Sequence, residues 1–203
     1  MGIVISFAAF LLAIMCHEFA HAYVANRRGD ATAAEHGRLT LNPLAHIDPV
    51  GTLLLPLILV FTRSPVIFGW ARPVPVNFSR LRDPRRDMAL VGVAGPMANL
   101  LLAVVVAQIM KAVAAGASEI TLFVLVQLLM TNIFLAIFNL IPVPPLDGSR
   151  VAMGLLPVPA ARMLARLEPY GMFLLVALLY TGMLQQVIGP AAAILMKALL
   201  GEI

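Results

Sequence analysis

The residues whose types and spacing most clearly predict chemistry are His17-Glu18-Phe19-Ala20-His21, inside the first long apolar segment of the chain. Histidines at positions i and i+4 lie one above the other on a helix face, so both imidazoles can bind one Zn²⁺. Glu18 lies to one side of them, within reach of a water molecule on the metal. Ionisable groups are costly within a membrane helix and mark functional sites there. The segment therefore predicts a zinc hydrolase helix; the structural alternative is that these side chains only hydrogen-bond neighbouring helices.

A catalytic zinc site needs a third protein ligand and leaves its fourth position to water. Asp147 is the leading candidate, because the prolines that precede it should unwind the end of an apolar helix and let its carboxylate turn back towards the bundle. His46 and Asp48 are a rival source of this ligand. An ordinary turn at Asp147-Gly148 is the structural alternative.

The composition indicates where these residues must be positioned. The chain has 203 residues, of which 61% are hydrophobic and only 12% charged, and its mean hydropathy is +0.95, which excludes an ordinary soluble domain. The net charge of +4 does not indicate a nucleic-acid partner, because Lys and Arg are scattered at helix ends without interleaved aromatic residues. We expect an integral membrane protein in contact with the lipid bilayer. Four apolar segments approach or exceed the ~20 residues that cross hydrocarbon: 3–25, 88–115, 119–142 and 168–188.

Arginines that flank these segments predict the orientation, since positively charged loops stay in the cytoplasm. Between the first two arginine clusters the chain must enter and leave the membrane on the same side. Residues 50–77 are therefore predicted to be re-entrant, with a full helical hairpin as the alternative. Residues 190–203 are too short to cross and are predicted to lie in the interface. The N-terminus is placed outside, and three clusters are placed inside: Arg27, Arg28 and Arg38; Arg80, Arg82, Arg85 and Arg86; and Arg150, Arg162 and Arg166.

One connecting segment predicts a strand. Residues 37–42 alternate polar and apolar side chains before a proline, as an edge strand does. On the cytoplasmic side such a strand could pair with an extended substrate by β-addition. A plain connector is the alternative.

Two distant motifs resemble the site-2 protease family of intramembrane zinc metalloproteases. The first is His-Glu-x-x-His at 17–21, and the second is Asn-x-x-Pro-x-Pro-x-Leu-Asp-Gly at 139–148. Gly-Pro-x-x-Asn at 95–99 is a third and less specific element, and the resemblance covers about residues 1–155. The short length and residues 69–77 resemble the compact prokaryotic branch without PDZ or CBS domains.

This resemblance implies one Zn²⁺ per chain, held by His17, His21 and Asp147, with Glu18 as the catalytic acid/base. It implies hydrolysis of peptide bonds within or near the transmembrane segments of membrane protein substrates, in regulated intramembrane proteolysis. The expected location is a prokaryotic cell (inner) membrane with the active site towards the cytoplasm, and a regulatory membrane partner of unknown identity is possible. The predicted substrate-binding residues are Asn139 and Asn99, each with a structural interhelical hydrogen bond as its alternative role.

The predicted fold is an all-α integral membrane protein, a polytopic helical bundle with a three-helix catalytic core, a re-entrant segment and a small cytoplasmic-side β element. We expect a single transmembrane protease domain over 1–203. Its catalytic core should cover 1–155, and 156–203 should form a C-terminal transmembrane helix and an interfacial tail.

Two other classes of function are alternatives, a metal-binding membrane transporter and a non-catalytic binding protein. Transporters commonly show two related halves, whereas the intramembrane ionisable groups here cluster in one motif. A third alternative is a membrane protease that takes its third zinc ligand from a downstream glutamate. None of the later glutamates has a convincing zinc-site context: Glu35, Glu119, Glu168 and Glu202.

Overall fold

The structure, a computed structural model, describes residues 2–64 and 69–201, and within these ranges the chain is predominantly α-helical. The short turns between the helices include 3₁₀ segments at Pro43–His46, Phe78–Arg80 and Glu168–Tyr170 and a π-helical segment at Pro49–Leu54. The α-helices are α1 (Gly2–Arg27), α2 (Thr32–Glu35), α3 (Leu55–Phe61), α4 (Pro84–Val113), α5 (Glu119–Leu140), α6 (Asp147–Leu155), α7 (Val158–Ala165), α8 (Gly171–Tyr180) and α9 (Met183–Leu200).

Within the described residues, five helical stretches are long and apolar enough to cross a membrane. Three of them, α1, α4 and α5, match the first three predicted segments with ends shifted by a few residues. The prediction of an all-α polytopic membrane protein is therefore confirmed. The five stretches are Gly2–Arg27, Pro84–Val113, Glu119–Leu140, Val158–Tyr180 and Met183–Leu200.

Helix α4 is the central helix of the core and packs against α1, α5 and α6. Its buried face is rich in small residues, which let neighbouring backbones approach closely within a membrane bundle. At its start, Asp83 caps the helix by accepting a hydrogen bond from the Arg86 main-chain N–H at 3.1 Å. Pro84 then occupies the first turn, where a missing N–H costs nothing. These signals mark the beginning of α4.

The re-entrant segment enters as a helix and returns as extended chain. Pro49–Leu54 and α3 form the entering leg. Residues 69–77 form a return leg that contains no helix and ends at the 3₁₀ segment Phe78–Arg80. The Trp70 N–H donates to the Gly51 carbonyl at 3.1 Å, and the Thr52 hydroxyl donates to the Trp70 carbonyl at 2.8 Å, so the two legs meet. The predicted residues 65–68 of this excursion lie outside the described residues. The described parts favour the re-entrant prediction over a hairpin of two helices.

The predicted β element is wrong, because none of the described residues forms a strand. Residues 37–42 use their polar groups locally instead of pairing with a second strand. The Arg38 N–H donates to the Ala33 carbonyl at 2.7 Å, and the His46 ring bonds the Thr40 carbonyl at 2.9 Å. Turn and capping bonds within residues 33–46 thus replace the ladder that an edge strand needs.

The predicted C-terminal span 168–188 is also wrong in its bounds. Helix α8 ends at Tyr180, and Gly182, with φ of +71°, turns the chain into α9. Helix α9 continues through Pro190 to Leu200, so the described part of 190–203 is not a separate interfacial helix; residues 202–203 lie outside the described residues. Its partly buried apolar side chains pack against residues of α4 and α5. The residues of α9 in this contact are Ala192, Leu195, Met196, Leu199 and Leu200.

Candidate metal centre

His17 and His21 lie one helical turn apart on the buried face of α1, with relative exposures of 4% and 7%. Their Nε2 atoms are 3.0 Å apart. Asp147 approaches the same point from the start of α6, with its Oδ2 atom 2.9 Å from His17 Nε2 and 3.2 Å from His21 Nε2. Two histidines from neighbouring turns of α1 and a carboxylate 126 residues after His21 therefore meet at one position.

The end of α5 explains how Asp147 reaches this position. The helix ends at Leu140, and the proline-containing stretch 141–146 turns the chain through short-range bonds, including Leu146 N–H to the Val143 carbonyl at 2.9 Å. Gly148 lies so close to the end of α5 that an added Cβ would be 2.2 Å from the Leu140 carbonyl oxygen. Only glycine permits this close return of the chain, which directs the Asp147 carboxylate to α1.

Hydrogen bonds on the far side of each imidazole orient the two rings. His21 Nδ1 lies 2.7 Å from the Val91 carbonyl oxygen, and His17 Nδ1 lies 2.6 Å from Asn99 Oδ1. A carbonyl oxygen can only accept, so each Nδ1 carries the hydrogen and each neutral ring keeps its lone pair on Nε2. Partners of this kind are typical behind metal-binding histidines.

The resulting donor set suits a zinc ion. Two imidazole lone pairs and a carboxylate oxygen are all acceptors, and their mutual repulsion at this distance is relieved by a cation. One ligand atom from each of the three residues lies within 4.8 Å of the others. Two atoms bound to one tetrahedral zinc lie roughly 3.3–3.6 Å apart. The distances between the His17, His21 and Asp147 atoms are somewhat shorter, at 2.9, 3.0 and 3.2 Å, so a small outward shift of these side chains would seat the ion.

Gly95 on α4 leaves the space in which these atoms meet. A Cβ added there would lie 2.3 Å from His21 Nε2 and 2.6 Å from His17 Nε2, closer than real Cβ contacts allow. Gly-Pro-x-x-Asn at 95–99 was predicted only as the less specific of the three family-like elements. Its glycine lies directly against the two imidazoles of the candidate metal centre.

Glu18 lies beside the cluster and borders the same cavity, of about 240 Å³, as His21 and Asp147. Its Oε2 atom accepts a hydrogen bond from the Val74 main-chain N–H at 2.8 Å. Pro73 and Val74, on the return leg of the re-entrant segment, also line this cavity. The re-entrant segment thus covers the side of the site on which Glu18 lies.

A positive charge lies near Glu18 on the loop that follows α2. Burial lowers the pKa of the Arg38 guanidinium, the like charge of Arg72 lowers it further, and the Glu18 carboxylate opposes both effects. Arg38 also donates to the Ala45 carbonyl, which fixes its position. The Arg38 guanidinium therefore stabilises the negative charge of the Glu18 carboxylate.

The structure separates the two predicted substrate-binding asparagines. Asn99 is completely buried and bonded to His17, Ala13 and Asn132, which favours its alternative role in interhelical hydrogen bonds; its predicted contact with substrate stays a prediction. Asn139 is partly buried and donates from Nδ2 to the Leu135 carbonyl of its own helix at 3.0 Å. Its predicted contact with substrate stays a prediction.

The rival ligands do not join the cluster. The His46 ring bonds the Thr40 carbonyl, and Asp48 accepts from the main-chain N–H groups of Val50 and Gly51 at the start of the re-entrant segment. Among the described residues, the group able to hold a metal consists of His17, His21 and Asp147. Val74 and Asn132 were not among the predicted site residues. For Asn132, the available signal was an amide in the middle of the apolar segment 119–142.

Comparison with known proteins gives a consistent result. Residues 106–181 match the family model Peptidase family M50. "Putative zinc metalloprotease YwhC" of Bacillus subtilis is 39% identical over 188 residues, which cover 89% of this chain and 82% of that protein. "Putative zinc metalloprotease Rip2" of Mycolicibacterium smegmatis is 31% identical over 174 residues, covering 86% of this chain and 66% of that protein. No solved structure matches the chain significantly.

Proposed function

Because the chain belongs to peptidase family M50, the site-2 proteases, and is thus a multi-pass membrane zinc metalloprotease, we propose that it hydrolyses peptide bonds within or near transmembrane segments of other membrane proteins. In this proposal His17, His21 and Asp147 hold the zinc ion and Glu18 is the catalytic acid/base. The observation that carries it is the convergence of three ligand atoms within 4.8 Å beside a carboxylate on one cavity. Processing of this kind serves regulated intramembrane proteolysis.

The chemistry divides between the metal and the chain. A zinc ion held by His17, His21 and Asp147 would lower the pKa of a bound water molecule towards ~7 and would polarise the scissile carbonyl. Glu18 takes the proton of the attacking water and later delivers it to the leaving amine. The Val74 N–H holds the Glu18 carboxylate towards the cavity. The hydrogen bonds that His17 and His21 donate from Nδ1 to Asn99 Oδ1 and to the Val91 carbonyl keep both imidazoles turned towards Asp147.

The return leg of the re-entrant segment offers a place for the substrate. A peptide bond inside an intact helix is hidden by the helix's own hydrogen bonds, so the substrate must be held extended. Residues 73–76 form neither helix nor turn, and Pro73, Val74 and Val76 border the cavity. The Val76 N–H has no hydrogen-bond partner in the described part of the chain. We propose that this edge, instead of residues 37–42, pairs with the unwound substrate.

The orientation of the chain follows from its arginines. His21 lies near the Arg27 end of α1, and Arg150 borders the site cavity. By the positive-inside rule this end is cytoplasmic, so water reaches the site from the cytoplasm. The bacterial relatives support a prokaryotic cell membrane.

The test is cleavage by the purified full chain in liposomes that also hold a panel of single-span proteins, some with a Gly-Pro pair in the membrane segment. Wild type should cut within or near that segment, as located by mass spectrometry, and a zinc chelator should stop it. Glu18→Gln should retain zinc and lose about 10²–10⁴-fold in rate. Glu119→Gln is the matched control, because Glu119 begins α5 and the chain reaches Asp147 from the other end of that helix. Equal cleavage by Glu18→Gln, or no cleavage of any panel member by zinc-loaded wild type, would overturn the proposal.

A further inference from the structure

Asn132 on α5 is a buried polar residue with no part in the proposed chemistry. Its relative exposure is 2%, and it lies in the middle of a predominantly apolar helix. Its Oδ1 atom accepts a hydrogen bond from Asn99 Nδ2 at 2.9 Å, and its Nδ2 atom donates to the Leu128 carbonyl at 2.8 Å. A polar side chain at this depth in a membrane bundle calls for a specific role.

The direction of each amide in this chain of bonds follows from groups that can only accept. The Leu128 carbonyl requires the nitrogen of Asn132, so the oxygen of Asn132 faces Asn99. That oxygen in turn requires the nitrogen of Asn99, which also donates to the Ala13 carbonyl at 3.0 Å. The remaining oxygen of Asn99 therefore faces His17 Nδ1.

The bond between Asn99 and His17 sets the tautomer of His17, a candidate metal ligand. Because Asn99 Oδ1 accepts, His17 carries its hydrogen on Nδ1 and presents the lone pair of Nε2 beside His21 and Asp147. We propose that Asn132 is a positioning residue of the metal site, which acts through Asn99 to fix the orientation and tautomer of His17. The inference rests on the proposed role of His17 as a zinc ligand.

The Ala13 carbonyl alone would hold the Asn99 amide less firmly than Ala13 and Asn132 do together. Each of the two hydrogens on Asn99 Nδ2 has one buried acceptor, Ala13 O or Asn132 Oδ1. Removing Asn132 leaves one hydrogen unsatisfied and lets the amide rotate. Loss of a residue bonded directly to a metal ligand weakens metal binding about 10- to 100-fold. Asn132 acts one bond further away, so we expect about a tenfold effect, at the low end of that range.

The experiment measures the zinc dissociation constant of the detergent-purified full chain by competition with a chelator. The variants are Asn132→Leu, which removes both hydrogen bonds at similar volume, and Asn132→Ala, a smaller replacement in case leucine prevents folding. The control is Leu129→Ala, which removes a fully buried side chain of the same helix outside the network. Helix content measured by circular dichroism identifies variants that fold.

The expected result is zinc binding weakened about tenfold in both Asn132 variants and changed less than about twofold in Leu129→Ala. Asn99→Ala should weaken binding at least as much, and adding Asn132→Leu to it should have no further effect, since Asn132 acts through Asn99. Wild-type affinity in the folded Asn132 variants, or an additive effect in the double variant, would overturn this inference alone. A folded wild type without zinc would overturn the ligand assignment, and this inference with it.

Discussion

The main-chain N–H of Val74 donates a hydrogen bond to Glu18 Oε2 over 2.8 Å, which joins the return leg of the re-entrant segment to the proposed catalytic residue. Pro73 and Pro75 have no N–H, so Val74 supplies the one main-chain donor of this tripeptide. Its side chain is buried against Ala22 and Ala33, which holds the segment in place. The segment thus both covers the site and orients Glu18.

Replacing Val74 by proline should lower turnover while zinc content stays unchanged. Val74→Pro removes the N–H but is compatible with an extended segment between two prolines. Loss of a hydrogen bond to a charged group costs about 1.5–3 kcal/mol, so we expect kcat to fall roughly 10- to 100-fold. Val74→Ala, which shortens the side chain and keeps the N–H, controls for packing. Equal turnover in the two variants would show that the N–H does not orient Glu18.

A methyl group on Gly95 should disrupt the metal centre. In Gly95→Ala the new carbon would lie 2.3 Å from His21 Nε2, so an imidazole or α4 must shift. We expect zinc, measured by elemental analysis per folded chain, to fall well below that of wild type. Gly189→Ala is the control, because a Cβ at that helical glycine meets nothing within 4 Å. A Gly95→Ala protein that holds a full complement of zinc would refute the packing described here.

Sequence signals predicted the fold where a long apolar segment was sufficient evidence for a helix. Three apolar segments of sufficient length became α1, α4 and α5. The strand at 37–42 was wrong because alternation alone does not supply a partner, and capping bonds competed for the same backbone groups. The span 168–188 was misplaced because hydropathy does not register a turn at Gly182, where a left-handed φ ends one helix and begins another.

The parts of the site that could be predicted most directly are those whose residues are close together in the sequence. The i, i+4 spacing brings His17 and His21 together on any helix, whereas their meeting with Asp147 depends on packing that sequence spacing does not encode. Gly95 and Asn132 could not be assigned from the chain alone. A glycine or an amide in a membrane helix has many uses, and only the distances to His17 and to Asn99 distinguish them.

The buried carboxylate of Asp30 should make stability depend on pH. Burial by itself would raise its pKa, but hydrogen bonds from Thr32 and from the Asn77 N–H, together with the charge of Arg80, bring the pKa below its usual value. A lowered pKa in the folded state stabilises the protein above the unfolded value of about 3.9, and this stabilisation is lost as pH falls through the lower folded value.

Asp30→Asn should therefore lower the unfolding midpoint in detergent at pH 7. One amide oxygen cannot serve both Thr32 and Asn77, and an unsatisfied buried donor costs about 1–3 kcal/mol. The difference from wild type should shrink as pH falls below about 4. Asp83→Asn, at an exposed helix cap, is the comparison variant. A difference in midpoint that is constant from pH 7 to pH 3 would contradict the assigned role of the Asp30 charge.

The most direct measurement of the central claim is the zinc content per chain of the detergent-purified protein beside Asp147→Ala and His46→Ala. Our account predicts about one zinc per chain in wild type, retained in His46→Ala and depleted in Asp147→Ala, with all three proteins folded. Zinc that is absent from folded wild type, or that is indifferent to Asp147, would contradict the three-ligand site and favour metal transport or binding without catalysis.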